Sequence, residues 1–117
     1  MIFAIPVESE SNHSPLAMQF ARAKYYAIVD RTAATMEILP NPCLGMVSQA
    51  GKCSILYLTS RKHVNTIIAY ELGHNVQQIA LKENIQLILV HEKRKNLNQL
   101  LEIMNINLNN KTTKEPD

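Results

Sequence analysis

Residues 64–90 read VNTIIAYELGHNVQQIALKENIQLILV, and the order of signals inside this stretch decides the fold. Val64, Thr66, Ile67 and Ile68, followed by Ala69 and Tyr70, form a short run rich in β-branched and apolar residues, which suits a pleated strand. Gly73 punctuates the chain. Val76, Ile79, Ala80 and Glu83 then recur at helical spacing. Residues 85–90 are apolar apart from Gln86, as expected of a strand buried on both faces. Leu97, Leu100, Leu101 and Met104 return to the helical interval. Strand, helix, strand, helix in this order calls for parallel strands joined by crossover helices.

Working outward, the opening residues 1–7 (MIFAIPV) read as a strand that leaves the core into the polar run Glu8-Ser9-Glu10-Ser11-Asn12-His13. The pair Ser14-Pro15 has the form of an N-cap and first-turn proline, and Leu16 and Phe20 could make one short helix face, which predicts a helix over 15–22. Residues 25–29 and 35–39 are two apolar runs separated by five residues that fit an antiparallel hairpin, stopped by Pro40-Asn41-Pro42. Residues 46–60 stay open between strand and helix: 54–58 could be a buried strand, whereas Val47, Ala50, Ser54 and Leu58 could line a helix. The expectation is one mixed sheet covered by helices, an α/β domain over residues 1–105. A disordered polar tail is expected over 106–117, where too little apolar surface remains to offset ordering entropy.

At 117 residues the chain suits a single core, and 46% apolar residues suffice to build it. Twelve Lys and Arg against ten Asp and Glu leave a net charge of +2, too weak for a dedicated nucleic-acid surface, so no nucleic-acid partner is expected. No apolar run approaches the ~20 residues of a membrane helix, so no membrane association is expected. The first residues lack a basic lead and cleavage site, so the protein is expected to be cytoplasmic and its two cysteines, Cys43 and Cys53, reduced.

The ordered features Ala4-Ile5-Pro6-Val7, Ser14-Pro15 leading to Phe20-Ala21-Arg22-Ala23, Tyr26-Ala27-Ile28-Val29-Asp30 and Asn41-Pro42 belong together. With Gly73-His74-Asn75, Ala80-Leu81-Lys82 and Ile85 added, the chain resembles the dinitrogenase iron-molybdenum cofactor biosynthesis family over residues 1–91. That resemblance implies a ribonuclease H-like fold with a five-stranded mixed sheet flanked by helices. For some members it also implies binding of an anionic iron-molybdenum or other metal-sulfur cluster or its precursor. Two positions depart from the family pattern: Gln19 stands where a His is frequent, and Ala21 where Gly is frequent.

Under this reading Gly73, His74 and Asn75 would present backbone N–H groups at a helix start to an anion, and Arg22 would add positive charge. The plain alternative is that Gly73 serves a turn and Asn75 caps the helix. His13, Cys43 and His74 are candidate metal ligands, since soft metals accept thiolate and imidazole. Cys53 reads as a small buried hydrophobe. Loops 8–14, 40–48 and 71–75 are expected to converge near strand ends.

The function expected is a noncatalytic binding or carrier domain, monomeric or homodimeric, that meets a cofactor donor or acceptor protein. One alternative is an interaction module contacting partners through residues 93–117. The enzyme alternative is a metal-dependent nuclease built from Glu8, Asp30 and Glu71.

Overall fold

The computed structural model describes residues 1–91, 95–106, 108 and 110–111. Strands β1 (Ile2–Val7), β2 (Tyr25–Asp30), β3 (Thr35–Pro40), β4 (Thr66–Ala69) and β5 (Gln86–Leu89) form one sheet in the order β5-β4-β1-β2-β3. β1, β2 and β3 pair antiparallel, while β4 and β5 run parallel to β1, so the sheet is mixed and the fold is the expected ribonuclease H-like α/β type. A two-residue strand β6 (Asn110–Lys111) adds in parallel beside β3, within the stretch expected to be a polar tail. Of the segment 93–117 expected to contact partners in the interaction-module alternative, Lys93, Arg94, Asn107, Asn109 and residues 112–117 lie outside the described residues.

Alternation along the central strands builds two cores. Phe3, Ile5 and Val7 of β1, Ala27 and Val29 of β2, and Ile68 of β4 face helix α3 (Leu97–Ile103) with its Leu97, Leu100 and Leu101. Ala4, Tyr26, Ile28, Ile67 and Ala69 face the other way, toward α1 (Ala50–Lys62) and α2 (His74–Lys82) through Ile55, Leu58 and Ala80. Each such fully buried Leu or Ile is worth about 1.5–3 kcal/mol relative to exposure.

The open question over residues 46–60 resolves as helix, because Ser54, Ile55 and Leu58 share one buried face. Gly51 belongs to that helix for a steric reason: a Cβ there would collide with Cγ2 of Val76 where α1 crosses α2. β5 differs from expectation in burial. As the sheet's edge strand it leaves Gln86 and Leu89 exposed.

The helix expected over 15–22 does not form beyond a 3-10 turn at Phe20–Arg22. Ser14 is not its cap. Its Oγ instead accepts from the backbone N–H of Glu8 and Ser9 at 3.0 and 2.9 Å, closing the 8–14 loop. Leu16 and Ala17 then lie along the end of β1, with Ala17 N–H donating to the Pro6 carbonyl. Leu16 enters one core, and Ala17 and Phe20 enter the other, so the segment crosses from one face of the sheet to the opposite one. A helix would hold these side chains on one stripe and could not serve both cores.

α1 ends on His63, whose φ of 57° is left-handed, with Val64 N–H donating to the Leu58 carbonyl. Only glycine takes that conformation without a Cβ penalty. His63→Gly is therefore expected to raise stability by about 0.5–1 kcal/mol, read as a higher urea midpoint at unchanged slope.

Candidate functional site

Strand pairing dictates which loops meet. Val7 at the end of β1 lies opposite Tyr25 at the start of β2, and Tyr25 lies opposite Pro40 at the end of β3. Because β4 and β5 are parallel to β1, their C-terminal ends point the same way. Loops 8–24, 41–49 and 70–73 therefore emerge at one end of the sheet, together with residues 90–91 after β5, and the three expected site loops do converge there.

The crossing segment 15–18 splits this end into two clefts. On the α3 side, Glu8, His13, Leu16, Met18, Tyr70 and Lys95 line a depression of about 540 Å³. On the α1/α2 side, Gln19, Ala21, Arg22, Glu71, Gly73 and Val76 line a smaller one of about 280 Å³. No residue lines both. Arg22 and Gly73 are thus brought together as expected, and His13 is placed across the divide from them.

The two clefts differ in how their helix starts are satisfied. At α3, Asn96 Oδ1 accepts from Gln99 N–H at 2.8 Å and Gln99 Oε1 accepts from Asn96 N–H at 3.0 Å, a reciprocal capping box. Leu97 and Asn98 N–H are taken by the carbonyls of Ser14 and Asn12, both at 2.9 Å. At α2 the N-cap is Gly73, which has no side-chain acceptor to offer. The first-turn N–H groups, including those of His74 and Asn75, have no carbonyl partner within the helix. Both residues are exposed. Asn75 sits inside the helix and does not cap it.

Gly73 is required neither by its backbone, at φ −63°, nor by packing, since an added Cβ would meet nothing within 4 Å. The space above it opens into the cleft that Arg22 shares. Arg22 is exposed and steadied by one bond, from Nη1 to the Met46 carbonyl at 2.9 Å. Its remaining guanidinium donors suit an anion's oxygen or sulfur edge. Glu71 on the same cleft opposes that charge.

A buried polar network holds the Arg22 segment in place. The Tyr26 hydroxyl donates to the Phe20 carbonyl at 2.8 Å and lies 2.9 Å from Ser54 Oγ, which in turn reaches Asn41 Oδ1 at 3.4 Å. Asn41 Nδ2 donates to the carbonyls of Ala21 and Ala23 at 3.2 and 2.9 Å, and its Oδ1 accepts from Cys43 N–H at 2.9 Å. Burial pushes the Tyr26 phenol well above the usual tyrosine range, with the Ser54 hydrogen bond opposing it only in part. Sequence reasoning placed Asn41 as a strand stop and as part of the family resemblance, with no role for its side chain. Its position between two prolines was the available signal for a side chain that replaces backbone partners.

Two expectations are corrected. Cys43 and Cys53 are not free thiols but a disulfide, their Cα atoms 5.9 Å apart, because the 41–46 turn packs against the start of α1. Cys43 is accordingly no metal ligand in this state, since its sulfur is already bonded. Among the described residues no three His, Cys, Asp or Glu side chains cluster as a metal site. The carboxylates of the nuclease alternative are also separated: Asp30 pairs with Ile2 at the far end of the sheet from Glu8 and Glu71. With the Cys43 sulfur bonded, the donors that this cleft offers are the first-turn N–H groups of α2 and the Arg22 guanidinium.

No helix among the described residues is long and apolar enough to cross a membrane. The apo form of the orange protein from Desulfovibrio gigas superposes with a TM-score of 0.79 at 15% identity, covering 88% of this chain and 85% of that one. A putative NifB protein from Thermotoga gives 0.74 at 22% identity, covering 89% and 86%. At these identities the likeness is one of fold. A search among curated proteins gives no match. The profile described as dinitrogenase iron-molybdenum cofactor matches residues 1–103, spanning every strand of the five-stranded sheet and all three helices, and the chain belongs to that family.

Proposed function

We propose that this protein is a noncatalytic carrier for an anionic metal-sulfur cluster of the iron-molybdenum type, bound in the cleft between Arg22 and the start of α2. The observation that supports it is the pairing, across one cleft, of an exposed guanidinium with a glycine N-cap that neither backbone nor packing demands. A cluster surface would accept hydrogen bonds from the first-turn N–H groups of α2 and charge-assisted ones from Arg22. His74 flanks that surface, while His13, in the neighbouring cleft, would act only on cargo or a partner large enough to overlie both. Membership of the cofactor family supports a cofactor donor or acceptor protein as partner.

The test is an anaerobic absorbance titration with tetrathiomolybdate and, separately, with extracted iron-molybdenum cofactor. Arg22→Ala is expected to weaken binding about tenfold to a hundredfold, the worth of one or two charge-assisted hydrogen bonds. Gly73→Leu, which the fold accommodates at a cost of about 1 kcal/mol of capping, should fill the cradle and block binding. Tight binding by both variants would move the site elsewhere. Absence of binding by the parent protein would favour the interaction-module reading, which the exposed Leu44, Met46 and Val47 beside this cleft also support.

A further inference from the structure

The Cys43–Cys53 bond closes an eleven-residue ring around the segment that holds Arg22. Within that ring, Leu44 and Met46 are 39% exposed and Val47 is 95% exposed, so their side chains do little to fix its course. Over residues 44–48 the backbone contacts are those of the turn, from Leu44 N–H to the Asn41 carbonyl and from Met46 N–H to the Cys43 carbonyl at 3.4 and 3.1 Å, while the Gln49 carbonyl accepts from Cys53 N–H at 3.0 Å as α1 begins. Gln49, at the junction with α1, has a left-handed φ of 63° and caps the helix without a side-chain bond. That conformation is unfavourable for a residue with a Cβ and persists only where the surroundings impose it.

We propose that Cys43–Cys53 is a reversible redox site whose oxidised form holds the 44–49 segment, and with it Arg22, in the cation-presenting arrangement, and whose reduction releases both. The two sulfurs differ in access: Cys43 is fully buried, whereas Cys53 is half-buried at the end of the first turn of α1, next to the exposed Lys52. A dithiol reductant therefore attacks Cys53 Sγ as its thiolate. The Cys43–Cys53 bond breaks, Cys43 leaves with the electron pair and takes a proton, and a mixed disulfide forms on Cys53. The second thiol of the reductant then closes on its own mixed-disulfide sulfur and expels Cys53 as thiolate, which takes a proton. Two electrons pass to the protein and the reductant becomes a cyclic disulfide. Without the cross-link, Gln49 is free to leave the left-handed region and the Met46 carbonyl no longer has a fixed place to receive Arg22 Nη1.

The anion-binding consequence rests on the carrier reading above, but the Arg22 consequence does not, and the test keeps them apart. The whole chain is equilibrated anaerobically in buffers of graded reduced and oxidised dithiothreitol, alkylated and weighed. The bond should open and reform in one two-electron transition, and failure to reform would overturn the proposal. Nitrogen-15 spectra of the arginine side chains then report Arg22 directly. Its Nε–H signal should shift, and its solvent exchange quicken about tenfold, on reduction and equally in Cys53→Ser, while the Arg31 and Arg61 signals stay fixed. Unchanged Arg22 signals would overturn it. After removal of the dithiol, tetrathiomolybdate should bind the reduced protein about tenfold more weakly than the oxidised one, and Arg22→Ala should erase the difference. Equal affinity of the two forms would overturn control of binding. If tetrathiomolybdate binds neither form, the carrier reading fails, and the Arg22 spectra alone decide the coupling.

Discussion

Asn41→Ala is expected to lower stability by about 3–4 kcal/mol, since each buried polar group stripped of its partner costs about 1–3 kcal/mol. Asn41 is 6% exposed and binds three backbone groups at once: its amide nitrogen holds the carbonyls of Ala21 and Ala23, and its amide oxygen receives the N–H of Cys43. Truncation leaves those groups without partners in a region too enclosed for water to replace each bond. The backbone bond from Asn41 N–H to the Lys24 carbonyl survives, so the loss is confined to the side chain. Urea denaturation measures it, with Pro42→Ala, an exposed neighbour, as a control expected to stay within about 0.5 kcal/mol of the parent. A loss below 1 kcal/mol for Asn41→Ala would mean that the 41–46 turn is held by its disulfide and not by this amide.

That residue also marks where the sequence stops being readable. The β-α-β-α order of the second half was legible because periodicity is a local signal, and the hairpin of β2 and β3 because breakers bracket it. The family resemblance supplied the five-stranded mixed sheet that periodicity alone could not, and the strand order came only with the structure. What failed depended on partners distant in sequence. Ser14-Pro15 has the local form of a helix start, yet Ser14 closes a loop and the chain beyond it must feed two cores on opposite faces of the sheet. Cys43 and Cys53, ten residues apart, offer no pattern for pairing until α1 is known to begin between them. Arg22 and Gly73 were identified as site residues from residue type and expected position, and their convergence follows from strand register. His13 is nominated by the same reasoning, but the crossing segment 15–18 between the clefts is a tertiary feature that no spacing reveals.

The second large effect lies at alkaline pH and involves the same network. The Tyr26 phenol is fully buried between the Phe20 carbonyl and Ser54, so ionising it within the fold is far less favourable than ionising it in the unfolded chain. Its folded-state pKa is raised above the unfolded value near 10, chiefly by desolvation. For an acid shifted upward, the stabilising contribution is fully present below the unfolded pKa and declines as pH rises from there toward the folded one. Stability should fall by about 1.4 kcal/mol per pH unit above pH 10 from this group alone.

Tyr26→Phe removes the proton and the decline together. At pH 7 the variant should be about 1–2 kcal/mol less stable than the parent, because the Phe20 carbonyl and the Ser54 hydroxyl each lose a buried partner. The slope then erases that deficit, so the two stabilities should meet about one unit above pH 10 and cross beyond it. The remaining tyrosines and lysines are common to both proteins and cancel in the difference between them. Urea midpoints collected from pH 7 to pH 12 on both proteins measure the crossing. Parallel curves over that range would show that water reaches Tyr26 in the folded state, and the network around Asn41 would then be open rather than sealed.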